Sequence, residues 1–247
     1  MTYKEVRDKF VEVSGRYDLI TSTNEDNGAD FFLNAAQRYL DRSHDFQKAT
    51  ARNVQSVAAG TLKVYVEGLR AVKEVWYTKS DGTSLYPLNL CSLGEIKEYY
   101  GKALSSETQG PPTDYAPVSF RPYPDTMLSG GGQQDIEDLL LDSTHFVNNG
   151  IIIMPTPAEL CFISIVGLFY SPTLSATLSG GLWTQVQSYW TENHPDTLIA
   201  AAIMKLHGLY MNTSGAADMK IVVQGDLKGL DDDDAEYDTA GTSQMGG

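Results

Sequence analysis

Apolar residues Val6, Phe10 and Val13 recur at the spacing of one helical face, so residues 3–14 are predicted to form a short amphipathic helix. The polar stretch Thr21–Gly28 offers capping oxygens to a second helix, Ala29–Arg42. In that helix Phe32, Ala36, Tyr39 and Leu40 form the apolar stripe, and Asp30, Asn34, Gln37 and Arg38 form the polar side. Two helices this short are not stable alone and need further surface to pack on.

The period then changes. Leu62–Glu67 alternates strictly, as a half-buried strand does, and Val72–Thr78 reads as a second strand. Ser80-Asp81-Gly82 is a turn into a third strand around Leu85–Leu88, and Ser92-Leu93-Gly94-Glu95 is a capping-box pattern opening a helix through Tyr100. Residues 105–116 form a linker rich in Ser, Gly and Pro, Val118–Tyr123 is extended, and Met127–Gln134, with three consecutive glycines, is a loop. Ile151–Met154 and Leu160–Tyr170, joined through Pro155-Thr156-Pro157, are apolar on both faces. They are expected to pair as a central hairpin, followed by a loop over 171–182.

Helix returns at the end. His194-Pro195-Asp196 starts a helix over Thr197–Met211, with Pro195 in its first turn. Asn212-Thr213-Ser214-Gly215 breaks it and caps a last helix, Ala216 to about Leu230, with Ala216, Met219, Val223, Leu227 and Leu230 on one side. Positions 231–247 hold six acidic residues and no basic one, which predicts a flexible tail. The expected class is therefore α+β: a helical bundle built from the N- and C-terminal helices, an inserted β-rich domain and an acidic tail. The boundaries are 1–48 and 189–230 for the bundle, 49–188 for the β-rich domain and 231–247 for the tail.

Charge sharpens this picture. The net charge is −14, yet residues 1–80 hold 12 basic against 11 acidic side chains, and residues 81–247 hold 6 against 21. The second part could not neutralise phosphates, so sequence-specific nucleic-acid binding is not expected. No apolar run is long enough to cross a bilayer, the start has no secretion signal, and Cys91 and Cys161 are expected to be reduced thiols, which together imply assembly in the cytoplasm.

No catalytic constellation stands out. His44, His145, His194 and His207 have no metal-ligand spacing, and there is no nucleophile elbow or phosphate-cradling loop. Asp135, Glu137, Asp138 and Asp142 form an acidic group without the spacing of a calcium loop. No enzyme activity, cofactor or metal is expected.

The two ends of the chain carry a resemblance. Asp26-Asn27-Gly28-Ala29-Asp30-Phe31-Phe32-Leu33-Asn34-Ala35-Ala36-Gln37-Arg38-Tyr39-Leu40-Asp41 resembles the N-terminal region of head–tail adaptor (connector) proteins of tailed bacteriophages. So does the closing order: Gly167-Leu168-Phe169-Tyr170-Ser171-Pro172-Thr173-Leu174, then Trp190–Asp196, Leu198–Ala202 and Leu209–Thr213, before a helix ending in acidic sequence. The resemblance covers roughly the first 45 and last 80 residues, and rests on the order of pieces.

It implies a virion structural protein at the head–tail interface. Its copies would form a closed, usually dodecameric ring beneath the portal protein, with a tail or neck protein on the distal side. DNA would pass through the channel without sequence-specific contact, and no membrane would be involved. It also implies that the C-terminal segment reaches onto the portal, with Leu227, Leu230 and Tyr237 as apolar anchors and Asp231, Asp232, Asp233, Asp234, Glu236 and Asp238 as the charged part. Two alternatives remain open: another neck or tail-completion ring protein, and a carbohydrate-binding or hydrolytic protein whose β-segment carries the site.

Overall fold

The computed structural model describes residues 1–43, 49–82, 85–100, 109–118 and 149–243. The glycine-rich stretch 127–134 and the group Asp135, Glu137, Asp138 and Asp142 lie outside the described residues. The helices are α1 (Tyr3–Ser14), α2 (Ala29–Ser43), α3 (Leu93–Tyr100), α4 (Tyr189–Asn193), α5 (Pro195–Leu209) and α6 (Thr213–Ser243). The strands are β1 (Thr50–Val57), β2 (Lys63–Val66), β3 (Leu69–Lys79), β4 (Leu85–Pro87), β5 (Asn89–Leu90), β6 (Asp114–Val118), β7 (Asn149–Met154), β8 (Cys161–Phe169), β9 (Ser175–Ser179) and β10 (Leu182–Val186). The chain is of mixed α+β class and divides into two compact units, residues 1–49 with 170–247, and residues 50–169.

In the first unit α5 is the central helix. It buries Leu198, Ile199, Ala201, Ala202, Ile203, Met204 and Leu206, and α1, α2, α4 and α6 all pack on it. This near-continuous apolar run explains why two marginal N-terminal helices persist, since α5 covers the faces that propensity alone could not hold. Helix α1 opens with a capping box between Thr2 and Glu5 and closes on Gly15 in the left-handed conformation. Its buried face is Tyr3, Val6, Arg7, Phe10 and Val11, whereas Val13, expected on that face, is exposed in the last turn.

Helix α2 departs from its expected stripe in an informative way. Gln37 and Asp41 belong to its buried face. Asn34 donates through Nδ2 to the Leu174 carbonyl oxygen (2.9 Å) and accepts through Oδ1 from the Leu174 N–H (2.8 Å). Gln37 donates to the Pro172 carbonyl oxygen (2.8 Å) and accepts from the Ser188 hydroxyl (2.6 Å). Asp41 accepts from the Ser171 N–H (2.8 Å), the Ser171 hydroxyl (3.0 Å) and the buried Trp190 indole N–H (2.8 Å). Polar residues at 34, 37 and 41 thus form a ladder along one edge of α2, matched to the backbone of segment 171–174 and to the start of α4.

A second buried polar group lies under α1. Arg7 is fully buried and donates to the Asn24 carbonyl oxygen (2.5 Å). It stands 3.7 Å from the Asp30 carboxylate and 5.4 Å from the centre of the Trp183 ring. Tyr3 donates its hydroxyl to the same Asp30 oxygen (2.5 Å). Burial raises the Asp30 carboxyl above its usual range, and burial with the Asp30 contact raises the Tyr3 hydroxyl well above its own.

Trp183 belongs to the hairpin β9–β10, which occupies the stretch expected as a loop and part of what was assigned to the β-rich domain. Its two-residue turn, Gly180-Gly181, has φ of 59° and 81°, the left-handed pair that a tight hairpin turn requires. The hairpin packs on α1 within the first unit, where the Gln185 side chain accepts from the Lys4 N–H (2.8 Å).

Among the described residues the second unit holds two four-stranded sheets, ordered β1-β8-β3-β4 and β2-β7-β6-β5. The expected hairpin of Ile151–Met154 with Leu160–Tyr170 does not form. Strand β7 pairs with β2 and β6 in one sheet, and β8 pairs with β1 and β3 in the other. Both strands are central, as their two apolar faces require, but the proline-flanked turn hands the chain from one sheet to the other.

Val57, Val64, Val66, Val75, Tyr115, Ile151, Ile153, Ile163 and Ile165 form one core shared by both sheets. Ile152 and Met154 face the opposite way and pack with Ile96 of α3, Ala116 and Val118. Gly167 sits where β3 is bulged; a Cβ there would meet the Ala71 carbonyl oxygen at 2.3 Å, so only glycine lets the strands close. At the start of β1, Thr50 is paired with Leu168 of β8.

Replacing Asp41 with Ala would leave the Trp190 indole N–H and the Ser171 N–H without their buried acceptor. A loss of about 3 kcal/mol in unfolding free energy is expected, measured by urea titration. A loss below about 1 kcal/mol would mean that water replaces the carboxylate and that the ladder is not structural.

Candidate assembly surface

The corner between α5 and α6 follows from local chain chemistry. Helix α5 ends in paired capping bonds, the Met211 N–H to the Gly208 carbonyl oxygen (3.4 Å) and the Asn212 N–H to the His207 carbonyl oxygen (2.9 Å). This motif places the residue after the cap in the left-handed region, where glycine is usual. Here it is Met211, with φ of 61° and 88% of its surface exposed. Asn212 then caps α6, accepting from the Gly215 N–H (3.1 Å).

Leu209, Tyr210 and Met211 are all exposed at this corner, and so are Ile221 and Val222 of α6. Tyr210 is held in place by Arg16, whose guanidinium lies 4.3 Å from the ring centre and donates to the hydroxyl (2.8 Å). The capping motif thus holds a methionine in a backbone conformation costly for any residue with a side chain, at an exposed tip.

Beside the corner runs an open groove of about 570 Å³ between α2, α5 and α6. Met204, Gly208, Leu209, Ala216 and Ala217 give it an apolar lining, and Tyr39, Lys205 and Lys220 complete it. The Lys205 ammonium lies 4.3 Å from the centre of the Tyr39 ring. Burial, and then the neighbouring Arg42 charge, lower its pKa below the usual lysine range. Residues 170–247 contain three basic residues, Lys205, Lys220 and Lys228, and two of them line this groove.

The residues expected to dock on a portal fall into two groups. Leu227 and Leu230 are buried together with Val223 on α6, the helix that packs along α5. Their i, i+3 spacing within the stripe was visible in the sequence, and it accounts for their burial. Asp231, Asp232, Asp233, Asp234, Glu236, Tyr237 and Asp238 lie on α6, which continues through Ser243 where a flexible tail was expected. No proline interrupts the segment, and extending an existing helix needs no new nucleation. Asp232 is exposed.

The second unit contains two further concave places. In one, Asp114 accepts from the Tyr100 hydroxyl (2.7 Å), the Thr113 hydroxyl (2.8 Å) and the Asn89 amide (3.2 Å), with the Cys91 sulfur at 3.8 Å. Burial opposes its ionisation, yet these hydrogen bonds hold the carboxyl below its usual range. Burial and the charges of Asp114 and Glu95 push the Cys91 thiol up, the opposite of an activated nucleophile. Burial also takes the Cys161 thiol up to about 11.

The other place is a groove of about 410 Å³ lined by Tyr77, Lys79, Tyr86, Pro87, Asn89 and Pro111, with the Tyr77 and Tyr86 rings stacked at 6.4 Å. Among the described residues no group of three or more His, Cys, Asp and Glu side chains is placed to hold a metal ion. No helix among them is long and apolar enough to cross a membrane.

No protein-family model matches the chain, and no curated protein is similar to it in sequence.

Two measurements check this account. Met211→Gly is expected to raise unfolding free energy by about 0.5–1 kcal/mol by relieving the left-handed strain, and a drop in stability would show that the corner carries no such cost. Carboxymethylation of Cys91 at about pH 7, followed by mass spectrometry, is expected to run slower than that of free cysteine and to accelerate as pH climbs beyond the ordinary thiol range. A rate above that of free cysteine would restore Cys91 as a candidate nucleophile.

Proposed function

We propose that this chain is a structural virion protein: a head–tail adaptor subunit whose copies form a closed ring, dodecameric by resemblance, between the portal and the tail of a bacteriophage. The observation that carries the reading is that the two ends of the chain, the parts with the resembling sequence, fold together into one compact unit. In this reading α1, α2, α5 and α6 are the helices of the bundle, and residues 50–169 are its inserted β-rich domain. The protein acts by holding neighbours in place and has no catalytic centre.

Each proposed role has a physical basis. A closed cyclic ring needs two different complementary faces on each subunit. The exposed apolar corner at Leu209, Tyr210 and Met211 suits one of them, because a patch of this kind on an acidic protein favours burial against a partner. With −14 per copy, a ring concentrates negative charge around its axis. A lumen lined with that charge repels DNA phosphates and lets the duplex move without adhering. The portal is the partner on the head side and a tail or neck protein on the other.

A second reading, a carbohydrate-binding β-unit, draws on the Tyr77–Tyr86 pair beside Asn89, since paired aromatic faces with an amide suit sugar rings. Quenching of tyrosine emission by oligosaccharides would favour it over the adaptor.

The direct test adds purified protein to DNA-filled, portal-bearing heads that lack it. A ring of density at the portal vertex in electron micrographs, together with restored tail attachment, is the expected outcome. Heads that recruit no protein would overturn the adaptor reading.

A further inference from the structure

The groove between α2, α5 and α6 combines an apolar floor with Lys205 and Lys220, and Arg42 on α2 adds a further positive charge near Lys205. Among the described residues, neither lysine lies within ion-pair distance of a carboxylate. The same subunit carries the most acidic stretch of the chain, 231–238, in which Ala235 and Tyr237 are set among six carboxylates. Charge and apolar character therefore complement each other between two places on one molecule.

Those two places cannot meet within one subunit. Lys220 and the stretch 231–238 lie on the same helix, α6. Lys220 and Asp232 are separated by about 18 Å along its axis at 1.5 Å per residue, and a continuous helix does not fold back on itself. The groove is therefore open to a carboxylate-bearing segment from outside the subunit, and the chain itself supplies one.

We propose that the groove lined by Lys205, Lys220 and Tyr39 receives the acidic segment Asp231–Asp238 of a second copy of this chain. The proposal rests on the ring reading for the presence of neighbouring copies, and it names the two faces that such a ring requires. The contact is heterologous: each copy offers its groove to one neighbour and its acidic segment to the other, which lets a series of copies close on itself. The carboxylates pair with Lys205 and Lys220, and the apolar floor takes the small and aromatic side chains between them. The acidic segment is thereby assigned to a neighbouring copy and not to the portal.

The test uses the full chain and reciprocal charge reversal. Lys220 is exposed, so Lys220→Glu leaves the fold intact; the partner variant carries Asp231→Lys, Asp232→Lys and Asp233→Lys. Mass photometry and sedimentation are expected to show multi-copy species for the natural chain that dissociate as salt is raised from about 50 mM to about 500 mM. Each variant alone should associate at least about tenfold more weakly, with an unchanged thermal melt. An equal mixture should recover the association, because each reversed face then meets its complement.

A natural chain that stays single at every concentration, variants that associate as the natural chain does, or a mixture that fails to recover association would each overturn the proposal. Copies that associate through another face, unaffected by either reversal, would leave the ring reading standing. Heads that never take up the natural chain would remove the ring reading itself.

Discussion

The first unit depends on the carboxylate of Asp41 and the two amides that precede it on α2. Its halves are separated by residues 50–169, so nothing in local sequence brings them together, and apolar burial is not directional enough to set their register. Asn34, Gln37 and Asp41 supply that register. Each bonds backbone or side-chain groups of 171–174 or of 188–190, and these bonds form only when α2 lies at one height against the returning chain. Buried polar groups are costly when unpaired, so shifted packings that break the ladder are penalised by several groups at once. Once the ladder is in place, Trp190 is seated, α4 is oriented and α5 can enter the core between α1, α2 and α6.

The charge distribution takes on a structural meaning in this frame. The balanced N-terminal part contributes Arg7, Arg16 and Arg42, cations engaged with residues of their own unit or lying next to the groove. The acidic part contributes the long helix α6, on which Val223, Leu227 and Leu230 are buried. Helix α6 thus packs on α5 through these positions and carries the acidic run further along the same helix.

The parts of the fold that periodicity reports were legible. Helices α1 and α2 begin where expected, the alternation at Leu62–Glu67 gives β2, and the Ser92–Glu95 capping box opens α3. Pairing partners were not legible, because a strand's period shows how many of its faces are buried and not which strand lies beside it. Strands β7 and β8 were therefore correctly central and wrongly joined. Hairpin β9–β10 was missed although Ser-Gly-Gly between alternating residues is a turn signal, and Gln37 was misplaced because a polar side chain that binds backbone looks, in sequence, like one that faces water. Of the candidate site, the acidic run was plain in composition. The groove was not, since Tyr39, Lys205 and Lys220 meet only after three helices have packed.

Thr50 and Leu168 are neighbours in adjacent strands, so residues 50–169 begin and end within one strand spacing. To the rest of the chain, that long excursion therefore imposes the geometry of a tight connection. The consequence is kinetic. Bringing Ala49 and Tyr170 together across a disordered loop of that length costs about 4 kcal/mol of chain entropy. A chain in which β1 and β8 have already paired has met that cost within its sheets. In such a chain the helical halves meet as neighbours, brought together by the segment least involved in joining them.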